Sequence, residues 1–555
     1  MFCYQCEQTS QGQGCQVVGV CGKDESTATL QDLLIHAVKG ISQYAHKARQ
    51  LGAADAGVDA FTLEAIFSTL TNVNFDAGTV ADLVYKAAEV RDAARALYEE
   101  AAIKAGQAPE VLRGPAAWQP AATREALLEQ GRTHLIPASF LQAGVVNEDS
   151  KTAKGLEELV VYGIKGVAAY AYHAMMLGSS APAAYATLHE ILAAITEPRT
   201  AEELLGLALK VGELNFAVLE QLDTAHNETF GAPEPTVIRL HAKAGKAILV
   251  SGHDLHDLYQ LLVQTEGLGI NIYTHGEMLP AHGYPKLKAF AHLAGNWGGP
   301  WVDQAEEFSN FPGAILMTSN CIQQPKESYK GRIFTAGPVQ WPGVAHIQGT
   351  DFAPVIAAAL STPGFAQDEP ELPPAMTGFG HKAVLNVAPT VIEAVKSGAL
   401  RRFFLIGGCD GARSGRTYYT EIAEKVPQDC VILTLACGKF RFNKEQMKFG
   451  TLGGLPRLMD MGQCNDAYSA LKVAQALAGA FDCGVNDLPL SMVLSWYEQK
   501  AVAILLTLLW LGVRNIRIGP TLPAFLTPAV LGLLNQKFNL MQTTTADADL
   551  AAIFA

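Results

Sequence analysis

RFFLIGGC, residues 402–409, decides how the chain is read. Bulky apolar residues run without a polar break, two glycines follow, and a cysteine closes the segment. A short continuous apolar run fits a strand buried on both faces, the kind that parallel sheets use. CVILTLAC at 430–437 repeats the grammar, and so do AILMTSNC at 314–321 and PRLMDMGQC at 456–464. From residue 233 onward, apolar runs at 247–250, 270–274, 314–318, 402–406, 431–435 and 515–518 alternate with helical stretches. That alternation predicts βαβ units and largely parallel sheets.

Toward the N-terminus the period changes. Leu30, Leu33, Leu34, Ala37, Val38 and Ile41 follow the spacing of a helix with one buried face. Residues 152–176 and 201–222 repeat that style, the Pro- and Gly-rich stretch 107–120 reads as a connecting loop, and nothing from 26 to 231 reads as a strand. The loop 361–375, rich in Pro and acidic residues, is a natural break. The expected fold class is therefore α plus α/β: a helical-bundle domain over 1–231, then two Rossmann-like α/β domains over 232–368 and 369–555.

With 555 residues, 49% hydrophobic and 17% charged, the chain is too apolar for a disordered protein. A net charge of −13 argues against nucleic acid or an anionic membrane as partner. The longest strongly apolar stretch, 501–513, is bounded by Lys500 and Arg514 and falls short of the ~20 residues a membrane span needs. MFCYQCEQTS has neither the basic end nor the apolar core of an export signal, so a cytoplasmic protein is expected.

Ten cysteines in such a chain suggest thiolates for metal rather than disulfides. Cys3, Cys6, Cys15 and Cys21 form a local ladder, and no cysteine recurs until Cys321. Cys-x2-Cys followed by two wider intervals on a Gly-containing loop favours an iron–sulfur cluster. A structural zinc site and unliganded thiols remain the alternatives.

A second constellation lies where apolar runs end. Cys321, Cys409, Cys437 and Cys464 each close one; His253 follows AILVSG, Glu277 follows INIYTHG, and Glu498 follows LSMVLSWY two places before Lys500. In parallel α/β sheets, ligands collect beyond the carboxyl ends of the strands. Each residue alone has an ordinary explanation: a buried cysteine as filler, His253 as a structural histidine, Glu277 as a helix-terminus partner. That explanation is kept for Cys430, which opens its run, and for Cys483 in a turn, while His256, His275 and His282 read as polar loop residues. The seven together read as one edge. Four thiolates suit a soft iron–sulfur core, and one imidazole with two carboxylates suits harder, oxygen-bridged iron with an openable position.

THGEMLPAHGYP at 274–285, GGCDGAR at 407–413, ILTLACGK at 432–439, GQCNDAYS at 462–469 and SWYEQKA at 495–501 resemble the hybrid cluster proteins, or hydroxylamine reductases, over essentially the whole chain. The resemblance implies a hybrid 4Fe–2O–2S cluster on His253, Glu277, Cys321, Cys409, Cys437, Cys464 and Glu498. It further implies a persulfide on Cys409 and a lysine, Lys500, beside the cluster. CGVNDLPLS and LTNVNF resemble enterobacterial members, whose wider ladder holds 2Fe–2S. The tight ladder here resembles the members that hold 4Fe–4S on Cys3, Cys6, Cys15 and Cys21, and it is followed because those residues contact the metal.

The implied reaction is two-electron reduction of hydroxylamine to ammonia and water, with Lys500, Glu498 and His253 as proton donors. Reduction of nitric oxide to nitrous oxide at the same cluster is the nearest rival. A nitric oxide sensor or protein S-nitrosylating factor acting through Cys409, and a nickel–iron carbon monoxide dehydrogenase, are more distant ones. Neither a P-loop nor GxGxxG occurs, so electrons are expected from a separate NADH-dependent flavin and iron–sulfur reductase or a ferredoxin.

Overall fold

The structure is a computed structural model that describes residues 2–134 and 148–555. Helices fill the first part: Glu25–Gln50, Ala56–Ser68, Ala77–Lys104, Arg124–His134, Glu148–Met176, Pro182–Ala194 and Ala201–Phe230. The first begins where the Asp24 side chain accepts from Thr27 N, and it buries Leu30, Leu33, Leu34, Ala37, Val38 and Ile41 along one side. Thr200 and Glu203 form a reciprocal capping box at the start of the last.

Two six-stranded, wholly parallel sheets follow. Lys246–Ser251 lies centrally in the first, flanked by Ile270–His275 and Ala314–Met317, with Leu293–Asn296 beyond the former and Ile333–Ala336 and Ala345–Ile347 beyond the latter. Arg402–Gly408 takes the same place in the second, between Cys430–Thr434 and Leu490–Ser495, with Leu458–Asp460, Ile516–Gly519 and Met541–Gln542 outside. Counted along its own strands, each sheet has the order 3-2-1-4-5-6. The chain therefore reverses direction beside the first strand of each, which opens a crevice at the carboxyl ends. The class expected from the sequence, helices followed by two parallel α/β units, is the one observed.

One helix crosses between layers. Gln499–Trp510 leaves the second sheet and lies against Glu148–Met176 and Ala201–Phe230. Close approach is possible because Gly163, Gly166 and Gly212 face it without a Cβ. Asn215 Nδ2 donates to Thr507 Oγ1 at 2.9 Å, and that hydroxyl donates to Gly212 O at 2.9 Å. Among the described residues no helix is long and apolar enough to cross a membrane.

Candidate metal centres

All seven residues singled out at the ends of apolar runs line one cavity: His253, Glu277, Cys321, Cys409, Cys437, Cys464 and Glu498. The first sheet contributes three of them and the second four, from loops around the two crevices. Cys430 is buried at the opposite, amino end of its strand, and Cys483 sits in the turn after Ala467–Phe481, away from this wall.

Hydrogen bonds fix the histidine. Ser319 Oγ accepts from His253 N at 2.9 Å and lies 2.9 Å from His253 Nδ1. Nδ1–H donating to that hydroxyl leaves the Nε2 lone pair facing the cavity. There Nε2 lies 3.0 Å from Lys500 Nζ and 3.6 Å from Glu277 Oε2. Burial, then the Lys500 charge, pushes the His253 pKa well below its usual range, so the ring is neutral.

Glu277 stands in a short helical turn, Gly276–Gly283, just past its strand. Its Oε2 accepts from Cys464 N at 2.8 Å, while Oε1 is buried without a hydrogen-bond partner. Burial raises its pKa. Glu498 caps the crossing helix by accepting from Lys500 N at 2.8 Å, and its Oε1 lies 3.7 Å from Lys500 Nζ. Lys500 Nζ also donates to Asn320 Oδ1 at 2.9 Å. Burial works against charge on Lys500, but Cys464 and Cys321 when ionised, with the Glu498 and Glu277 carboxylates, push its pKa up.

The four thiols lack such compensation. Burial, reinforced by Glu498, pushes Cys409 up to about 12, and burial also raises Cys321, Cys437 and Cys464. A bound metal reverses that preference by stabilising thiolates directly. The donor set, an orphaned carboxylate oxygen and a single ammonium among four thiols therefore fit a multinuclear metal group. His253, Glu277 and Cys464 already place their donor atoms within 4.8 Å of one another.

The ladder forms the second centre. Cys3 and Cys15 pair as a two-residue antiparallel bridge, with N–H···O contacts of 3.0 and 2.8 Å. Ser10 N donates to Cys15 Sγ at 3.4 Å, and a side chain at Gly19 would meet Cys21 Sγ. Burial, then the neighbouring Cys3, Cys21 and Cys15, raises the Cys6 thiol. Among the described residues, however, the four sulfurs form no group of three within 4.8 Å.

Tyr497 joins the two centres. Its carbonyl accepts from Glu7 N at 2.9 Å, its hydroxyl donates to Gln8 Oε1 at 2.9 Å, and its ring lies 5.1 Å from that of Trp301. Burial, then Cys6, Cys321 and Cys21, pushes its phenol well up. Sequence reasoning passed over Tyr497, Asn320, Ser319 and Gln463, whose Nε2 donates to His253 O at 3.0 Å and Glu277 O at 2.7 Å, although three of the four directly precede a named site residue. It also read His275 as a loop residue, whereas His275 ends its strand, buried, 2.9 Å from both Ser251 Oγ and Glu307 Oε2.

Residues 1–551 match the protein family described as Prismane/CO dehydrogenase. Proteins named hydroxylamine reductase from Acidiphilium cryptum and Rhodospirillum rubrum are each 55% identical, across 100% of this chain and 99% of their own length. One so named from Solidesulfovibrio magneticus is 55% identical across the full length of both. Among solved structures, carbon monoxide dehydrogenase IV from Carboxydothermus hydrogenoformans aligns with a TM-score of 0.55 at 16% identity, over 97% of this chain and 89% of its own. The Ni-free carbon monoxide dehydrogenase from Thermococcus sp. AM4 gives 0.54 at 16%, over 99% and 90%. At such identity the likeness concerns the fold alone.

Proposed function

The chain belongs to the Prismane/CO dehydrogenase family, and from that premise we propose that it is an oxidoreductase that reduces hydroxylamine: NH2OH + 2 e⁻ + 2 H⁺ → NH3 + H2O. The observation that carries this reading is the single cavity wall containing four thiols, one neutral imidazole and two carboxylates. A site built only to pass electrons needs no oxygen or nitrogen donors. This wall has three, with a charged lysine against them.

His253, Glu277, Cys321, Cys409, Cys437, Cys464 and Glu498 would hold a hybrid 4Fe–2O–2S cluster, which would supply Lewis-acid polarisation of the N–O bond and the electrons that break it. The protein's part is to hold protons where they are needed. Asn320 Oδ1 holds the Lys500 ammonium beside the His253 donor nitrogen, where it can give a proton to the oxygen that must leave as water. Glu498, capping the helix beside it, is the carboxylate placed to carry the second proton. Cys409 is held by its backbone, with N–H to Ser495 O at 3.0 Å and its carbonyl accepting from Arg416 Nη1 at 3.0 Å, which suits the persulfide position. Cys3, Cys6, Cys15 and Cys21 hold a 4Fe–4S cluster that takes electrons from a separate reductase or ferredoxin. The setting is the cytoplasm, which ten unpaired cysteines support.

A specific feature favours nitric oxide as a second substrate. A cavity walled almost wholly by apolar side chains, among them Leu405, Leu435, Leu471, Ala474 and Leu505, reaches Cys409 and Cys464 beneath the second sheet. An apolar diatomic molecule suits that route better than hydroxylamine does. The test is anaerobic preparation with iron, sulfide and nickel counts, then oxidation of reduced viologen with each substrate. Ammonia formed at one molecule per two electrons supports the proposal. An iron-loaded protein that oxidises no viologen on adding hydroxylamine contradicts it.

A further inference from the structure

The ladder loop has an outer face that coordination of a cluster does not require. Val17, Val18 and Val20, between Cys15 and Cys21, are 84%, 56% and 59% exposed. Three of the eleven large hydrophobic residues exposed among the described residues thus lie within four positions. The loop is not slack: Gly19 N donates to Lys23 O at 2.7 Å, Gly22 N to Gly19 O at 2.8 Å, and Cys15 pairs with Cys3. Arg413 reaches in from the second α/β region, its Nη2 donating to Thr9 O at 3.0 Å, and pins the loop's near end.

Charge points the same way. Residues 8–22 carry no charged side chain, in a protein whose net charge is −13. A surface that guided its partner electrostatically would place ionic residues around the cysteines. Between Cys15 and Cys21 only apolar, amide and glycine residues occur, whereas the charged groups near the ladder, among them Lys23, Asp32 and Lys165, line the cavity beside Cys3. The complementary partner face is uncharged and apolar, and a contact of this small extent matches the small interfaces of brief redox encounters. Scattered exposed valines need no explanation, but a held cluster of them over two donor cysteines does.

We propose that Val17, Val18 and Val20 form the docking surface for the protein that delivers electrons, an iron–sulfur carrier of the ferredoxin type that presents its cluster through an uncharged, apolar rim. This rests on the reading that Cys3, Cys6, Cys15 and Cys21 hold a redox cluster. From that loop the covalent and hydrogen-bonded route to the cavity is short: Cys6, Glu7 N to Tyr497 O at 2.9 Å, then Glu498.

The experiment is stopped-flow reduction of the iron-loaded full-length protein by a pre-reduced 2Fe–2S ferredoxin and, separately, by methyl viologen radical. Three variants accompany the wild type: Val17→Asp, the triple change Val17→Ser with Val18→Ser and Val20→Ser, and Val111→Asp, a 91% exposed valine on another loop. Iron content and the visible spectrum establish that each variant keeps its clusters. Val17→Asp and the triple variant should slow ferredoxin reduction about tenfold or more, leave viologen reduction within about twofold, and Val111→Asp should change neither. The wild-type ferredoxin rate should not fall as ionic strength rises, because no ion pairs are being screened. An unchanged ferredoxin rate in both loop variants, an equal loss in Val111→Asp, or a wild type that viologen reduces and ferredoxin does not would each overturn the proposal. Failure of the underlying reading looks different: no iron would be lost from a Cys6→Ser variant.

Discussion

Cys3 to Cys21 and His253 to Glu498 are two solutions to the same problem of gathering sulfur. The ladder collects four thiols within one short loop, and its geometry depends on a two-residue bridge and a few backbone bonds. The cavity collects seven donors from two sheets, and its geometry depends on both topologies being right. The ladder is all sulfur, partly exposed, and has its apolar rim turned outward. Its counterpart mixes sulfur, nitrogen and oxygen, and its carboxylates and lysine are buried. A local loop suffices where electrons only pass. A site that must also manage protons and a substrate needs chemically different side chains, brought from distant strands.

The sharpest way to break that contrast is to remove a proton-bearing group from the cavity and leave its sulfur alone. Glu498→Gln keeps size and retains the four thiols, His253 and Glu277, so most of the iron should stay. Hydroxylamine turnover should fall about 10²-fold or more, the scale of a lost acid–base group. Wild-type turnover in a fully iron-loaded variant would remove Glu498 from the mechanism. In a comparable ladder position no such loss without metal loss is expected.

A smaller effect tests whether the cavity depends on packing far from its metal. A Cβ at Gly166 would meet Gln499 O at 2.5 Å and Lys500 Cα at 2.9 Å. Gly166→Ala should push the crossing helix away, costing about 1–3 kcal/mol of stability. It should also lower kcat through misplaced Glu498 and Lys500 while the ladder's spectrum is unchanged. A variant with normal Tm and kcat would show that the bundle does not position the site.

A further effect concerns the metal-free protein. Burial holds Cys409 up at about 12 and raises Cys321, Cys437 and Cys464, so the folded thiols keep protons that an unfolded chain releases above about 8.5. Stability is then fully present below that value and is lost as pH rises toward the folded pKa, at about 1.4 kcal/mol per pH unit for each group. The Tm of iron-free protein should drop by several degrees from about pH 8 to about pH 10, and the iron-loaded protein should show little of this. Equal curves with and without iron would mean that the thiols are not metal-bound.

Much of this was readable before any coordinates. Strands such as Arg402–Gly408 and Lys246–Ser251 announce themselves because burial on both faces demands unbroken apolar runs. Leu293–Asn296 and Ala345–Ile347 escaped as short strands at the two edges, and Ile333–Ala336, though buried throughout, escaped because it is only four residues long and holds a threonine. The seven residues that share the cavity were legible from type and position at run ends. The residues that hold them were not, since Ser319, Asn320 and Gln463 are neutral polar residues of a kind common in any loop. Nor does any local pattern state that both sheets share one strand order, which arises from pairings between distant segments.

The most direct test of two chemically distinct centres is Mössbauer spectroscopy of anaerobically prepared, isotopically enriched protein, wild type beside Cys6→Ser. The wild type should contain two iron populations, one with all-sulfur ligation and one with oxygen and nitrogen donors. Cys6→Ser should lose the first and keep the second, because no residue serves both sites. A wild-type spectrum with only all-sulfur iron, or loss of both populations together in Cys6→Ser, would contradict the account.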